Sequence, residues 1–589
     1  MPRRFRPLDR RVLLVVAVAA VLAGVVGLIA QLLTALIGLV TNLCYYGSFD
    51  TTLRSPAGHH LGAWAILLPV AGGLVVGVMA RFGSRAIRGH GIPEAMEQVL
   101  RNESRIPPII TWLKPASSAV AIGTGGPFGA EGPIIATGGA LGSLLAQLMR
   151  VTADERKTLL AAGAVAGMSA IFATPIAAVL LAIELLLFER KARSLIPVAI
   201  AAMIGAAVHV AFEGGEPVFP MPALAVSAPG ALAAYVLMGA LTGLLAVAVT
   251  KLTYGIEDAF ARLPLHWMWW PAIGGLAVGI IGWFMPRTLG VGYDNITLVL
   301  GGGLGVAGLL ALALMKLCSW SIALGSGTSG GTLAPLFTIG GALGGVFGLL
   351  AAHAFPALGV DPRMAALVCM AAIFAGSSRA FLTSVVFAFE ATQQPHGLVP
   401  LLGGCAAAYL VSCLLMRNTI MTEKIVRRGV RVPSDYSADH LDSVHVREVC
   451  SQDLACLHAA QTLAAARAVL EGNDPRFDHH SFPVLDADGG LCGLVARREV
   501  LARADEAGLH VGDIVNAAPA MIGGEHSLRE AADHMVERGV GRLLVVDEAD
   551  AGQVIGIVTR ADLLDAHRGR LRSARVAGRH LRLNLKRRE

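Results

Sequence analysis

Long apolar runs broken by glycine and proline fill the chain up to about position 416, and a polar, alternating pattern follows from about Val432. The first run, Val12 to Val40, holds 29 residues without a charge. That exceeds the roughly 20 residues needed to cross a hydrocarbon core, so it predicts a helix that is tilted or buried in a bundle. A signal peptide would be shorter and would end in a small-residue cleavage site, so the helix is expected to be retained. Further apolar segments lie near 61–81, 108–122, 132–149, 157–188, 195–212, 230–250, 267–284, 295–324, 333–355, 364–375, 379–390 and 397–415. Several are too short for a span, as expected of helices that stop inside a membrane around a transport site.

The apolar part repeats itself. PIIATGGALG begins at Pro133 and PLFTIGGALG at Pro335, while AIFA occurs at Ala170 and Ala372, so both pairs share an offset of 202 residues. Two matches at one offset predict two related halves, about 12–215 and 228–416, joined by EGGEPVFPMP from Glu213. We expect the halves to be inverted, a relation set by the number of crossings between them. In the polar part, Ser481–Leu501 and Arg542–Leu564 each read as strand, acidic turn, strand, helix, which predicts paired small α/β modules.

Composition agrees with a polytopic membrane protein: 54% of the 589 residues are hydrophobic, 15% are charged, and the mean hydropathy is +0.63. Arg3, Arg4, Arg6, Arg10 and Arg11 precede the first helix and KIVRRGVR (Lys424 to Arg431) follows the last, so both ends are expected on the cytoplasmic side. The net charge of +6 lies largely in the terminal arms, and Arg568 to Arg588 holds nine Arg or Lys, which makes a solvated basic tail or a contact for anionic lipid heads. The eight cysteines have no metal-ligand spacing and read as buried thiols. GTGGPFG lacks a βαβ context and GSGTSGGT lacks the lysine of a phosphate loop. No nucleophile has a His and Asp partner, so catalysis, a metal site and nucleic-acid binding are not expected.

One ionisable residue stands out. Glu131 sits between glycines in GTGGPFGAEGP (Gly123 to Pro133), at the start of an uncharged run, and a carboxylate there is costly enough to imply a task. GHGIPEAM (Gly89 to Met96), GAEGPIIA (Gly129 to Ala136) and GGTLAPLF (Gly330 to Phe337) each open an apolar helix with glycine and proline. Helix starts offer free N–H donors and about half a positive charge, so three that converge would hold an anion loosely enough to release it.

These segments resemble the CLC family of chloride channels and chloride/proton exchangers. GHGIP stands for the family's GSGIP, GAEGP for its GREGP or GKEGP, and GTLAP (Gly331 to Pro335) for its GxFxP. The resemblance covers about 12–565. It implies an all-α polytopic membrane domain with broken helices over 1–431, a cytoplasmic α/β pair over 432–567 and a basic tail over 568–589. It also implies a homodimer with one pore per subunit, in the inner or cell membrane, needing no cofactor.

By that resemblance Glu131 is the gating glutamate, and His90, Gly91, Ile92, Gly132, Thr332, Leu333 and Met421 surround the anion. The amides of Thr332 and Leu333 would face the chloride. His90 replaces a serine and either donates from its ring or turns away while backbone amides bind. Met421 replaces a tyrosine and cannot donate, which would leave that side less constricted. Ala130 replaces the usual basic residue. Lys114 and Glu390 match charged, structural positions of the family. Where exchangers often carry a second glutamate the chain has Leu185, so water, Glu184 or Glu189 would have to move the proton, although Glu189 fits better as an interfacial charge paired with Arg190 or Lys191. The expected function is therefore a gated, largely uncoupled chloride conductance, with a chloride/proton antiporter as the alternative. The retained proline of GAEGP argues against fluoride. The C-terminal pair resembles CBS domains, which in many proteins bind ATP, ADP or AMP. Thr559 and Asp562 match their TxxD pattern, while the first unit has Ala496 and Glu499 instead.

Overall fold

The computed structural model describes residues 10–430, 432, 441, 444–506, 508–515, 519–547 and 553–575. Arg3, Arg4, Arg6, Arg431 and the tail beyond Arg575 lie outside the described residues. The chain divides into two compact units between Ser434 and Asp435.

The larger unit is helical. Its first half runs α1 (Arg10–Thr41), α2 (Leu67–Phe82), α3 (Ile92–Arg101), α4 (Ile110–Gly123), α5 (Glu131–Leu148), α6 (Ala153–Phe172), α7 (Pro175–Leu181) and α8 (Ala192–Glu213). The second runs α9 (Pro229–Ala261), α10 (Trp270–Phe284), α11 (Tyr293–Leu300), α12 (Val306–Gly325), α13 (Leu333–Ala354), α14 (Pro362–Ser378), α15 (Phe381–Thr392) and α16 (Leu398–Leu415), and the short α17 (Glu423–Arg427) follows. Among the described residues, eight helices are long and apolar enough to cross a membrane.

Two apolar segments that read as single elements are broken. The 157–188 stretch splits after Phe172, where Ala173 takes a left-handed conformation (φ +49°) and Pro175 opens α7. The 295–324 stretch splits at Gly301–Gly303 between α11 and α12. In both cases a turn residue, not a drop in hydropathy, ends the helix.

Helices α5, α6, α13 and α14 carry the most completely buried faces, and glycines let them approach: a Cβ on Gly138 would lie 2.2 Å from the carbonyl of Gly163. The thiols depart from the expectation of burial. Cys369, Cys405 and Cys450 are buried, whereas Cys318, Cys413 and Cys492 are exposed.

The smaller unit holds two three-stranded sheets in the orders β1 (Leu457–His458), β2 (Ser481–Leu485), β3 (Leu491–Ala496) and β4 (Met521–Gly523), β5 (Arg542–Val546), β6 (Val554–Thr559). In each the first pair is parallel and the second antiparallel. The acidic turn after β2 closes on itself, the Asp486 carboxylate accepting from the backbone N–H groups of Asp488 and Gly490.

Candidate functional site: three helix starts around Glu131

The starts of α3, α5 and α13 meet. Gly89 N–H donates to Thr328 O at 3.1 Å, and Gly331 N–H donates to Gly129 O at 3.0 Å, so backbone bridges tie the three loops together. The approach is closer than any side chain allows. A Cβ on Gly132 would lie 2.2 Å from His90 O and 2.9 Å from the Cα of Gly331, and one on Gly91 (φ +94°) 2.3 Å from Gly132 O.

Buried lysines hold the turns in place. Lys114 Nζ donates to the carbonyls of Ile87 and Gly89, both at 2.8 Å, just before His90. Lys316 Nζ donates to Thr288 O at 3.0 Å and Gly290 O at 3.3 Å, just before Tyr293. Lys114 is thus structural, as expected.

Glu131 is fully buried. Its Oε1 accepts from the N–H groups of Leu333 at 2.8 Å and Ala334 at 3.1 Å, and its Oε2 accepts from the Tyr293 hydroxyl at 3.3 Å. The acid therefore reaches across to the first free amides of α13, where the helix dipole favours negative charge. Leu333, one of the two residues whose amides were expected to face the chloride, thus donates to the acid, and Ala334 is a second donor that the sequence reading did not name. Thr332 precedes the first helical residue of α13.

The other expected site residues divide. Gly132 and Ile92 are buried at the junction. His90 and Thr332 are buried there too, and among the described residues His90 Nδ1 and Thr332 Oγ1 have no hydrogen-bond partner, an arrangement that costs about 1–3 kcal/mol each and that a small anion or water would relieve. Gly91, also expected around the anion, donates its N–H to Glu94 Oε2 at 2.7 Å. Met421 is buried, with its N–H on Thr419 Oγ1 at 3.2 Å. Its neighbour Ile420 instead lines the adjoining cavity, and the Tyr254 hydroxyl of α9 donates to Ile420 O at 2.8 Å, so a tyrosine still stands on this side but arrives from another helix.

Two cavities flank the junction. One, of about 200 Å³, is lined by His90 with Arg85, Arg88, Lys424, Arg428 and Glu257. The other, of about 860 Å³, is lined by Tyr293 with Gln31, Thr34, His209, Glu213 and Glu216, and among the described residues no lysine or arginine lines it. Lys424 in the wall of the basic one pairs with Glu94 at 2.8 Å, a pair that sequence reading missed because its members lie 330 residues apart.

None of the carboxylates considered for proton transfer stands free. Leu185 is buried. Glu184 accepts from the N–H groups of Leu382 and Thr383, both at 3.0 Å, and from the Thr383 hydroxyl at 2.6 Å. Glu189 pairs with Lys157 at 3.2 Å and Lys191 at 3.3 Å, and accepts from Ser194 at 2.7 Å. Glu390 of α15 accepts from Ile176 at 3.1 Å and Ala177 at 2.8 Å at the start of α7, while Glu184, in the π-helical segment Ala182–Leu187 that continues α7, caps the start of α15.

In the second α/β unit Asp562 accepts from the Thr559 N–H at 2.7 Å and its hydroxyl at 2.8 Å; in the first, Glu499 accepts only from the Ala496 N–H, at 3.3 Å. Among the described residues no cluster of His, Cys, Asp and Glu could hold a metal ion.

The profile of the family described as "Voltage gated chloride channel" matches residues 71–413, and that of the CBS domain matches 446–506 and 511–569. The chain is 30% identical over 440 residues to the H(+)/Cl(-) exchange transporter ClcA of Vibrio vulnificus (strain YJ016), covering 70% of this chain and 91% of that one. Its fold is similar to that of a slow cyanobacterial Cl-/H+ antiporter (TM-score 0.64, 21% identity, 72% of this chain and 98% of that one). It is also similar to a eukaryotic CLC transporter (TM-score 0.58, 21% identity, 94% and 98%). An acid held on the amides of a helix start, inside a duplicated bundle that continues into a CBS pair, places this chain in the CLC family of anion-transporting membrane proteins.

Proposed function

We propose that this protein exchanges chloride for protons across the cell membrane, with Glu131 as the group that both blocks the anion and carries the proton. The observation that carries the reading is the bond from Leu333 N–H to Glu131 Oε1 at 2.8 Å. An ionised carboxylate on those amides competes with chloride for the same dipole, and a protonated one loses the competition and swings away. The Ile92 and Gly132 backbone, the His90 ring, Thr332, Leu333 and the Met421 side of the site would surround the ion. The relatives named as exchange transporters support coupling over the uncoupled conductance that the sequence suggested.

The uncoupled reading retains one observation in its favour, the apolar Leu185 between two committed carboxylates. Reconstituted protein separates the two. In proteoliposomes a chloride gradient should drive protons uphill, and Glu131→Gln should abolish that movement by at least about a hundredfold, the scale of a lost acid–base group. A chloride flux that leaves protons untouched in the unaltered protein would refute exchange.

The proposed organisation is a transmembrane domain over 1–431, a CBS pair over 432–567 and a basic tail over 568–589, assembled as a homodimer with the amino terminus and CBS pair in the cytoplasm. The basic cavity then faces the cytoplasm, where it gathers chloride. Thr559 and Asp562 are the place for the hydroxyls and phosphate of ATP, ADP or AMP, since only the second unit offers both an acid and a hydroxyl. At ten times the dissociation constant a nucleotide should stabilise the protein by about 1.4 kcal/mol, read as a higher unfolding midpoint that Asp562→Ala removes.

A further inference from the structure

Tyr293 touches both Glu131 and the acidic cavity. It opens α11 after Gly290 (φ +68°) and Gly292 (φ +75°), in the turn that Lys316 ties down. Its ring is wedged edge-on between Phe172 (5.6 Å, 62°) and Phe219 (6.0 Å, 69°), which fixes where the hydroxyl points. That hydroxyl donates to Glu131 Oε2 at 3.3 Å, and the same residue lines the 860 Å³ cavity.

We propose that Tyr293 passes protons between Glu131 and the acidic cavity. The inference rests on the reading that Glu131 carries the proton. As the Tyr293 O–H proton moves to Glu131 Oε2, the phenol oxygen takes a proton from hydronium in the cavity; one O–H bond breaks and one forms at each end, and the tyrosine is restored. Return of the proton reverses each step. The charged groups around the path are Glu131 from α5, Lys316 from α12, Asp294 beside Tyr293 with Arg287 4.0 Å from it, His209 and Glu213 in the last turns of α8, and Glu216 just after it. His209 Nδ1 lies 3.1 Å from Ala170 O, which sets that nitrogen as the donor. Glu213 and Glu216, in a wall that no lysine or arginine lines among the described residues, raise the local proton concentration and repel chloride, the opposite of the cavity behind His90.

The test uses the full-length protein in proteoliposomes with Tyr293→Phe and Glu131→Gln in parallel, reading proton and chloride flux separately against pH on the acidic-cavity side. Tyr293→Phe should lower the ratio of protons to chloride about tenfold or more and flatten its dependence on that pH. Its unfolding midpoint should stay within about 3 °C, because the ring contacts persist. An unchanged ratio in Tyr293→Phe while Glu131→Gln is proton-dead would overturn the Tyr293 assignment alone. Parallel loss of both fluxes, or failure of Tyr293→Phe to fold, would mark the hydroxyl as structural and overturn it too. Proton movement surviving in Glu131→Gln would bring down the reading beneath it as well.

Discussion

Glu131 and Leu333 hold equivalent places in the two halves, 202 residues apart, and they meet: the amide of the second donates to the carboxylate of the first. Around them the halves agree. Gly129 and Gly331, at the same offset, pair backbone to backbone. Lys114 and Lys316, again at that offset, are both buried, and each ties two carbonyls of the turn before a helix start. The difference lies in what each helix start presents. α5 begins with an acid, while α13 begins with bare amides and an aliphatic side chain. A duplicated scaffold thus supplies both the dipole that holds an anion and the competitor that displaces it, through a side-chain change at one of two matching positions.

The largest effects are expected where the halves are most alike. Lys114→Met strands the carbonyls of Ile87 and Gly89, and Lys316→Met those of Thr288 and Gly290. Charge-assisted hydrogen bonds contribute about 1.5–3 kcal/mol apiece, so each variant should lose on the order of 3–5 kcal/mol. Thermal unfolding in detergent should rank Lys114→Met as the more damaging, because its bonds, both 2.8 Å, are shorter than the 3.0 and 3.3 Å of Lys316. The reverse order would show that bond length does not set the balance between the halves.

Next come the two glycines that grip the acid. A Cβ on Gly331 would lie 2.5 Å from Glu131 Oε1, and one on Gly129 1.8 Å from Oε2. Either alanine should push the carboxylate off the α13 amides at a cost of about 1–3 kcal/mol, the usual range for overpacking. With its competitor weakened, chloride should bind up to about tenfold more tightly in isothermal titration, since about 1.4 kcal/mol is a factor of ten. Gly129→Ala should act more strongly than Gly331→Ala, and weaker chloride binding in both would mean the carboxylate is not the competitor.

The comparison of halves was legible in the chain because short identical strings at one offset survive divergence. The three helix starts were legible for a similar reason: glycine before and proline after an apolar run leave few conformations. Lys316 was within reach, since the offset of 202 leads to it from Lys114. Tyr293 was not. Its role comes from a turn between two left-handed glycines and from rings on α6 and in the linker, and neither leaves a local pattern. The commitment of Gly91 to Glu94 was hidden by a resemblance that placed an anion there, although an acid three residues past a glycine cap is a capping signal in its own right. The missing breaks at Ala173 and Gly301 have a further cause: hydropathy averages over a window longer than the turn that ends a helix.

The smallest effects are expected at the exchange of caps between α7 and α15, where the halves differ in degree. Glu184 takes three hydrogen bonds from the start of α15, whereas Glu390 takes two from the start of α7. Glutamine in either place keeps the shape but turns an N–H₂ toward backbone donors and removes the charge that the helix start favours, for a loss of about 0.5–2 kcal/mol. Glu184→Gln should lie at the upper end and Glu390→Gln at the lower, measured as unfolding midpoints. Because Glu184 stands next to Leu185 in the π-helical segment Ala182–Leu187 and Glu390 does not, the same pair also probes function: if the uncoupled reading were right, loosening either cap would leave the proton-to-chloride ratio at zero. Under exchange the cap next to Leu185 should change that ratio while the distant one leaves it alone. The two carboxylates therefore separate a stabilising role shared by both helices from a transport role confined to one.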